Sequence, residues 1–206
     1  MTGGGPQNSI HIPTGSVILD GEMHIPQGVK GIVIFAHGSG SSRSSRRNIF
    51  VSKILLSAGL GTLLFDLLTK EEDVIYENRF DIPLLARRLI AATQWVGTQE
   101  DIRNLPGGYF GASTGAAAGL IAASELGKEI KAIVSRGGRP DLAKEVLGHV
   151  FVPTLFIVGG NDDLVLKLNR DAVLRMRTKT DLKVIPGASH LFEEPGALEE
   201  VARLAT

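Results

Sequence analysis

Ser113 is the residue of this sequence best placed to act as a nucleophile. It lies in the pentapeptide GASTG at 111–115, between a predicted strand and an alanine-rich predicted helix. A serine on a sharp strand-to-helix turn presents its hydroxyl, and the helix that follows directs N–H groups at the reacting oxygen. Glycines suit such a turn because side chains would collide with neighbouring elements. The alternative is an ordinary turn in which the serine only caps the helix.

A serine hydroxyl needs a base to remove its proton, and His190 has the most suitable position among the five histidines. It follows the last predicted strand, and sites in open α/β sheets form in loops at the carboxyl ends of strands. The alternative is a structural or exposed histidine. Exposure is expected for His11 and His24, and His149 at a predicted helix end is expected to be solvated or to interact with the helix dipole. His37 follows a buried strand and belongs to a loop described below.

A carboxylate would hold the imidazole and stabilise its charged form, and two adjacent aspartates could supply it. Asp162 and Asp163 follow a predicted strand in the segment GGNDD at 159–163. Because Gly, Asn and Asp are also favoured in turns for local reasons, a plain turn is the alternative. The chain order of serine, aspartate and histidine, each directly after a different predicted strand, favours a catalytic triad.

Strands and helices alternate along the chain and would position these residues. Continuous apolar runs predict strands covered on both faces, at Gly31–Ala36, Thr62–Asp66, Gly108–Ala112, Ala132–Ser135, Thr154–Val158 and Leu182–Ile185. Apolar residues at helical spacing predict helices at Asn48–Ala58, Ile82–Val96, Thr114–Leu126, Asp141–Leu147, Val165–Met176 and Pro195–Leu204, the last with Pro195 as its first residue. The alternation predicts an α/β fold with a mainly parallel sheet and helices on both faces.

The N-terminal part predicts an antiparallel addition at the edge of this sheet. Val17–Leu19 and Glu22–Ile25 flank Asp20-Gly21, a pair that favours a hairpin turn. Residues 1–15 are expected to form a flexible segment. Since no stretch is a convincing linker, we interpret residues 1–206 as a single domain.

These motifs resemble the α/β-hydrolase superfamily and, within it, the dienelactone hydrolase-like family. The resemblance covers the chain from about Val17 onward and rests on HGSG at 37–40, the GASTG elbow, IVGGNDD at 157–163 and GASHLF at 187–192. It implies an α/β-hydrolase fold with a mostly parallel sheet of about eight strands. The intervals between the predicted strands leave room for one helix each, so we expect a minimal cap.

The resemblance also implies roles for individual residues. Ser113 would be the elbow nucleophile and His190 the base. Asp162 matches the family spacing Gly-Gly-x-Asp-x-x-Val through Val165, and Asp163 matches a looser variant, so Asp162 is ranked first as the acid. Dienelactone hydrolases carry cysteine at the elbow, whereas the serine of this chain favours a serine esterase.

An oxyanion hole follows from the same pattern. We expect its donors to be the backbone N–H groups of Thr114 and Ser39, with Gly38 and Gly40 letting the loop approach the substrate carbonyl. In the family pattern His37 orients this loop and is not the base.

Arginines near the predicted site suggest an acidic substrate. They follow the oxyanion loop or the strand AIVS, and are Arg43, Arg46, Arg47, Arg136 and Arg139. If any lines the pocket, it would favour a substrate with a carboxylate. The alternative is a solvated loop, or pairing of Arg139 with Asp141. The candidate substrate-binding residues are His37, Gly38, Arg46 and Arg136.

Composition limits the other function classes. The 206 residues carry 22 basic and 22 acidic side chains, so nucleic-acid binding through a basic surface is not expected. Cysteine is absent, which excludes disulfides, thiolate nucleophiles and cysteine-ligated metal sites. The sequence has no motif that requires a nucleotide, a metal or another cofactor. With no visible secretory signal and no long apolar run, we expect a cytoplasmic protein without membrane contact. Its oligomeric state stays open, with a homodimer as one alternative.

The expected reaction is hydrolysis of small carboxylic esters, lactones or thioesters through an acyl-enzyme on Ser113. Alternatives are an acyltransferase or peptidase with the same triad, and a non-catalytic ligand-binding module of this fold. The charged segment Leu67–Arg79 is the longest candidate for an element that borders the site.

Overall fold

Eight strands form one sheet in the computed structural model, which describes residues 8–206. The strands are β1 (Asn8–Thr14), β2 (Val17–His24), β3 (Ile32–Ala36), β4 (Gly61–Phe65), β5 (Gly107–Ala112), β6 (Ile130–Arg136), β7 (Thr154–Gly159) and β8 (Thr180–Ile185). Their order across the sheet is β1-β2-β4-β3-β5-β6-β7-β8. Strand β2 is antiparallel to both neighbours, and β3 to β8 are parallel. The predicted mostly parallel sheet of about eight strands is confirmed.

The described residues also form six α-helices, five between strands and one after the last strand. They are α1 (Arg46–Ser57), α2 (Lys70–Val74), α3 (Ile82–Val96), α4 (Thr114–Leu126), α5 (Asp163–Arg175) and α6 (Ala197–Ala205). Among the described residues, no helix combines the length and the apolar character needed to cross a membrane. The helical spacing predicted α3 and α4 with the bounds that the structure has.

The core lies on both faces of the sheet. Apolar residues of α3 and α4, such as Leu89 and Leu120, pack against one face in a cluster with Ile34. On the other face, Val51 of α1 and Val201 of α6 belong to a second cluster. Because both faces are covered, the central strands are continuously apolar, as the sequence pattern indicated.

The predicted position of the N-terminal hairpin turn was wrong. Residues 17–24 form one strand, and Asp20 and Gly21 lie within it. The hairpin turn is Gly15-Ser16, between the paired residues Thr14 and Val17, and Gly15 has a φ of 68° that suits a tight hairpin. Gly21 is needed inside the sheet, since a Cβ there would lie 3.1 Å from atoms of Ile10 and Phe65.

Three further expectations were wrong. The predicted flexible segment 1–15 contains β1 over Asn8–Thr14, while residues 1–7 lie outside the described part of the chain. The predicted helix 141–147 is replaced by 3₁₀ turns at Pro140–Ala143 and Leu147–His149. Helix α6 begins at Ala197, after Gly196 in the left-handed region, so Pro195 precedes the helix.

Candidate active site

Ser113 lies on a strained turn between β5 and α4. Its φ of 50° and ψ of −119° are rare for a residue with a side chain. Glycines make this turn possible through close approach. A Cβ on Gly115 would overlap the carbonyl oxygens of Ala36 and His37, and one on Gly111 would lie 2.5 Å from Cα of Ala116. As expected from the sequence, the structure has no room for a side chain at Gly111 or Gly115 beside the serine.

Backbone hydrogen bonds hold the strained residue in place. The Ser113 N–H donates to the carbonyl oxygen of Arg136 at 3.2 Å, and the Ser113 carbonyl accepts from the N–H groups of Ala116 and Arg139 at 3.1 Å each. Such a conformation costs about 1–3 kcal/mol and persists only where surrounding contacts enforce it. Strain of this kind is concentrated at functional sites, which favours a role for the Ser113 hydroxyl.

His190 and Asp162 are joined directly. His190 Nδ1 lies 2.6 Å from Oδ2 of Asp162. Asp162 precedes α5 at the carboxyl end of β7, and its side chain is only 14% exposed. Asp163 is exposed in the first turn of the helix. The geometry thus pairs the histidine with Asp162, the first-ranked of the two aspartates.

The turn that follows β6 lies near both the serine and the histidine. Ser113 N–H binds the Arg136 carbonyl, and a Cβ on the next residue, Gly137, would lie 3.4 Å from Nδ1 and Cε1 of His190. Gly137 has a φ of 52°, and a side chain there would press on the imidazole. Within residues 8–206 the Ser113 hydroxyl has no hydrogen-bond partner, and the serine is half-buried.

The expected oxyanion loop lies against the serine. A Cβ on Gly38 would lie 3.2 Å from Cβ of Ser113, so the HGSG backbone passes directly beside the nucleophile. The Ser39 N–H donates to the Thr114 hydroxyl at 2.8 Å. This expected oxyanion donor therefore already has an acceptor, whereas the Thr114 N–H has none in the described chain.

His37 anchors the same loop through its ring. Its Nδ1 bonds the Gly38 carbonyl at 2.9 Å, and its Nε2 accepts the Leu67 N–H at 3.0 Å. Burial lowers the pKa of His37 below its usual 6.5, so the neutral ring is favoured. With both nitrogens bonded to backbone groups, His37 orients the loop, and the expectation that it binds substrate directly does not fit this geometry.

Asp66 is a loop anchor that the sequence analysis missed. Its carboxylate accepts the Arg43 N–H at 2.7 Å and also forms an ion pair with the Arg43 guanidinium. A sequence signal was present, because Asp66 follows β4 at the same sheet edge as Ser113. Arg43 thus has a structural partner just after the HGSG loop.

The arginines near the site differ in their partners. Arg139 forms a bidentate ion pair with Asp141 at 2.8 Å, which is the structural alternative considered for it. Arg46 is exposed on the first turn of α1. Arg136 is 7% exposed, and no carboxylate among residues 8–206 forms an ion pair with it.

The segment between β4 and α3 borders the loop and is the nearest equivalent of a cap. Helix α2 is capped at its N-terminus by reciprocal hydrogen bonds between Thr69 and Glu72. A 3₁₀ turn follows, and its Arg79 binds Asp73 through two 2.9 Å bonds. Nη1 of Arg79 lies 4.0 Å from the Cβ position of Gly40, so the predicted border with the site is present.

Two cavities lie at the opposite edge of the sheet. Their volumes are about 260 and 430 Å³, and both are lined by Pro106 and Gly107, where β5 begins. Ser113 follows the other end of that strand. These cavities are therefore separate from the candidate site.

Comparison with solved structures decides the family. No protein-family model matches the chain. The crystal structure of dienelactone hydrolase from Anabaena variabilis is 53% identical, with a TM-score of 0.94, over 97% of this chain and 94% of that one. This chain belongs to the dienelactone hydrolase-like family of α/β hydrolases. Est1E from Butyrivibrio proteoclasticus shares the hydrolase fold at 14% identity, with a TM-score of 0.81 over 96% of this chain and 97% of that one.

This family member also matches part of two longer mycobacterial proteins. Both are from Mycobacterium tuberculosis, strains CDC 1551 and H37Rv, and both are named "Putative phosphoribosyl transferase". Each is 56% identical over 196 residues, which is 95% of this chain and 44% of the longer protein. The hydrolase-like chain thus spans less than half the length of these curated relatives.

Proposed function

We propose that this chain is a serine hydrolase of small carboxylic esters, lactones or thioesters, with Ser113 as the nucleophile. The observation that carries the proposal is the 2.6 Å contact of His190 with Asp162, beside a serine held on a strained turn. An imidazole held by a carboxylate through Nδ1 has its Nε2 available to accept a proton. The serine with no internal partner supplies that proton.

The reaction would proceed in two steps. In the first, Ser113 Oγ bonds to the carbonyl carbon while His190 Nε2 takes its proton, and His190 returns that proton to the departing alcohol or thiol. Water then attacks the acyl-enzyme with the same histidine as base, which releases the acid and restores the serine. Asp162 keeps the ring oriented and stabilises the imidazolium of each step.

Oxyanion stabilisation would come from the two backbone N–H groups expected from the sequence. The Thr114 N–H is at the start of α4, where the helix dipole adds positive potential. The Ser39 N–H must be shared between the Thr114 hydroxyl and the oxyanion, or pass from one to the other. Their proximity through the 2.8 Å bond supports a common target for both donors.

We do not propose a transferase activity from the name of the mycobacterial relatives, because this chain matches only 44% of the length of those proteins. The serine, carboxylate and imidazole, which follow the carboxyl ends of β5, β7 and β8, favour acyl transfer to water. The serine in place of the cysteine of dienelactone hydrolases favours an esterase.

A fluorophosphonate probe tests the proposal. We expect covalent labelling at Ser113, lost in Ser113→Ala with an unchanged circular dichroism spectrum, together with hydrolysis of short nitrophenyl esters. Ser189→Ala is the matched control, since this serine lies beside His190 and should leave labelling intact. A folded protein that is neither labelled nor active on the esters would instead be a non-catalytic binding module.

A further inference from the structure

Arg136 is a buried cation without an anionic partner. Its Nε is buried and has no hydrogen-bond acceptor among the described residues, and its one side-chain hydrogen bond is a long 3.4 Å contact from Nη2 to Oδ1 of Asn48. The ring of Phe192 lies 5.9 Å from its guanidinium carbon. A buried charge is costly unless it is paired, so a residue of this kind requires a compensating group.

A second arginine increases the positive charge at the same place. This arginine is Arg47, in the first turn of α1. Burial lowers the pKa of Arg136 to about 10, and the positive charge of nearby Arg47 is a second, smaller cause of the decrease. Nε of Arg47 is also buried without a hydrogen-bond partner. Nη1 of Arg47 lies 3.3 Å from Oε1 of Glu193, whose side chain is largely exposed. Arg47 thus contacts one exposed carboxylate, and Arg136 contacts none among the described residues.

The N-terminus of α1 is at this position as well. Asn48, which contacts Arg136, is the third residue of this 12-residue helix, and the first turn has no acidic side chain. Helix N-termini attract anions through unpaired N–H groups and the helix dipole. The helix end and the buried arginine are independent features that favour the same kind of ligand.

We infer that Arg136, Arg47 and the first turn of α1 bind a dianionic oxyanion, such as the phosphate of a phosphomonoester, carried by the substrate. Two guanidiniums match two negative charges, and a phosphate has three terminal oxygens for their donors. The backbone at Arg136 is near the proposed catalytic residues, because the Arg136 carbonyl accepts the Ser113 N–H and a Cβ on the next residue, Gly137, would lie 3.4 Å from the His190 ring. This inference rests on the proposed esterase function and adds a phosphorylated substrate class to it.

Inorganic phosphate binding to the Ser113→Ala protein tests the site without any turnover. Titration calorimetry at pH 8, at constant ionic strength, should show saturable 1:1 binding, with acetate binding at least about tenfold more weakly. Arg136→Gln should weaken phosphate binding at least about tenfold, and Arg47→Gln should weaken it less. The matched control is Lys53→Gln, which removes an exposed charge from the same helix and should leave the affinity unchanged.

Unchanged affinity in a folded Arg136→Gln protein, or absence of saturable binding, would overturn the site. Equal affinity for acetate would overturn the preference for a dianion. If Arg136→Gln does not fold, Arg136→Lys and Arg47→Gln replace it, and loss of phosphate affinity in the folded Arg47 variant is the result expected.

Kinetics then separate a substrate phosphate from a free one. Phosphate should inhibit nitrophenyl acetate hydrolysis competitively. Arg136→Gln should raise the KM for nitrophenyl phosphonoacetate at least about tenfold more than the KM for nitrophenyl acetate, whereas Lys53→Gln should change neither. Non-competitive inhibition would overturn the assignment to the substrate. If both esters are inert while the calorimetric binding persists, the esterase proposal has failed and the anion site has not.

Discussion

The Ser39 N–H and the Thr114 hydroxyl form a 2.8 Å hydrogen bond between residues 75 positions apart. One belongs to the loop after β3, and the other immediately follows the serine on the elbow. The bond fixes the distance between the two backbone segments that would share the oxyanion. It also gives the Ser39 N–H an acceptor before a substrate is bound, so Thr114 controls both the position and the availability of this donor.

Thr114→Val tests which of these effects dominates. Valine has nearly the same shape, and we expect kcat for nitrophenyl acetate to fall about tenfold, less than the loss of a whole oxyanion donor, because the Ser39 N–H loses its orientation. Thr114→Ser keeps the hydroxyl and should restore most of the rate. An increase in kcat for the valine variant would show that the hydroxyl competes with the oxyanion.

Asp162→Asn should reduce kcat about 10³- to 10⁴-fold, because an amide cannot hold the histidine tautomer or stabilise its charged form. Asp163→Asn is the matched control, with the same chemical change one residue further along, and its exposed side chain predicts a rate close to wild type. Steady-state kinetics on a nitrophenyl ester measure both. Comparable losses in the two variants would contradict the pairing of His190 with Asp162.

Gly115→Ala should destabilise the protein by about 1–3 kcal/mol or more, because the new methyl group would overlap the carbonyl oxygens of Ala36 and His37. Gly119→Ala makes the same change one helical turn later, where the Cβ would lie 3.8 Å from Tyr109, an ordinary contact. There we expect no loss, and a gain of up to about 1 kcal/mol from helix propensity. Urea unfolding compares the two, and equal effects would argue against the close packing of the elbow on β3.

The parallel part of the fold could be predicted because its strands are buried on both faces and their apolar runs are continuous. The errors lie where local preference and pairing disagree. Asp20-Gly21 has the composition of a turn, but pairing of β2 with β1 and β4 keeps it extended. The apolar spacing predicts a helix over Asp141–Leu147, yet the chain forms only 3₁₀ turns there before Val152 enters the core.

The candidate catalytic residues could be named because each lies in the turn or loop after a parallel strand, and parallel strands bring such positions to one edge. The residues that surround the Arg136 guanidinium could not be predicted in this way. Arg46 and Arg47 are equivalent in the sequence, and only the direction of α1 places Arg47 beside Arg136. Asn48 is 2% exposed and contacts Arg136 from a distance of 88 residues in the chain, which no local pattern indicates.

The neutral ring of His37 predicts a pH dependence of stability. Its folded pKa is lowered below 6.5, so the unfolded chain binds more protons as the pH falls below that value. The stabilisation is complete above pH 6.5 and is lost as the pH decreases towards the folded pKa, at up to about 1.4 kcal/mol per pH unit. Urea unfolding of wild type and His37→Gln between pH 8 and pH 5 should therefore show a difference in free energy that shrinks with acidity.

Protonation of His37 would also act on the loop that it holds. A proton on Nε2 would face the Leu67 N–H, which this nitrogen accepts at 3.0 Å, so two donors would oppose each other. The HGSG loop should then loosen beside Ser113, and kcat should fall in the same pH range as stability. His149→Gln serves as the control, because this histidine is exposed and its removal should leave the stability profile of wild type unchanged. A free-energy difference between wild type and His37→Gln that is constant from pH 8 to pH 5 would contradict the assignment of the neutral ring.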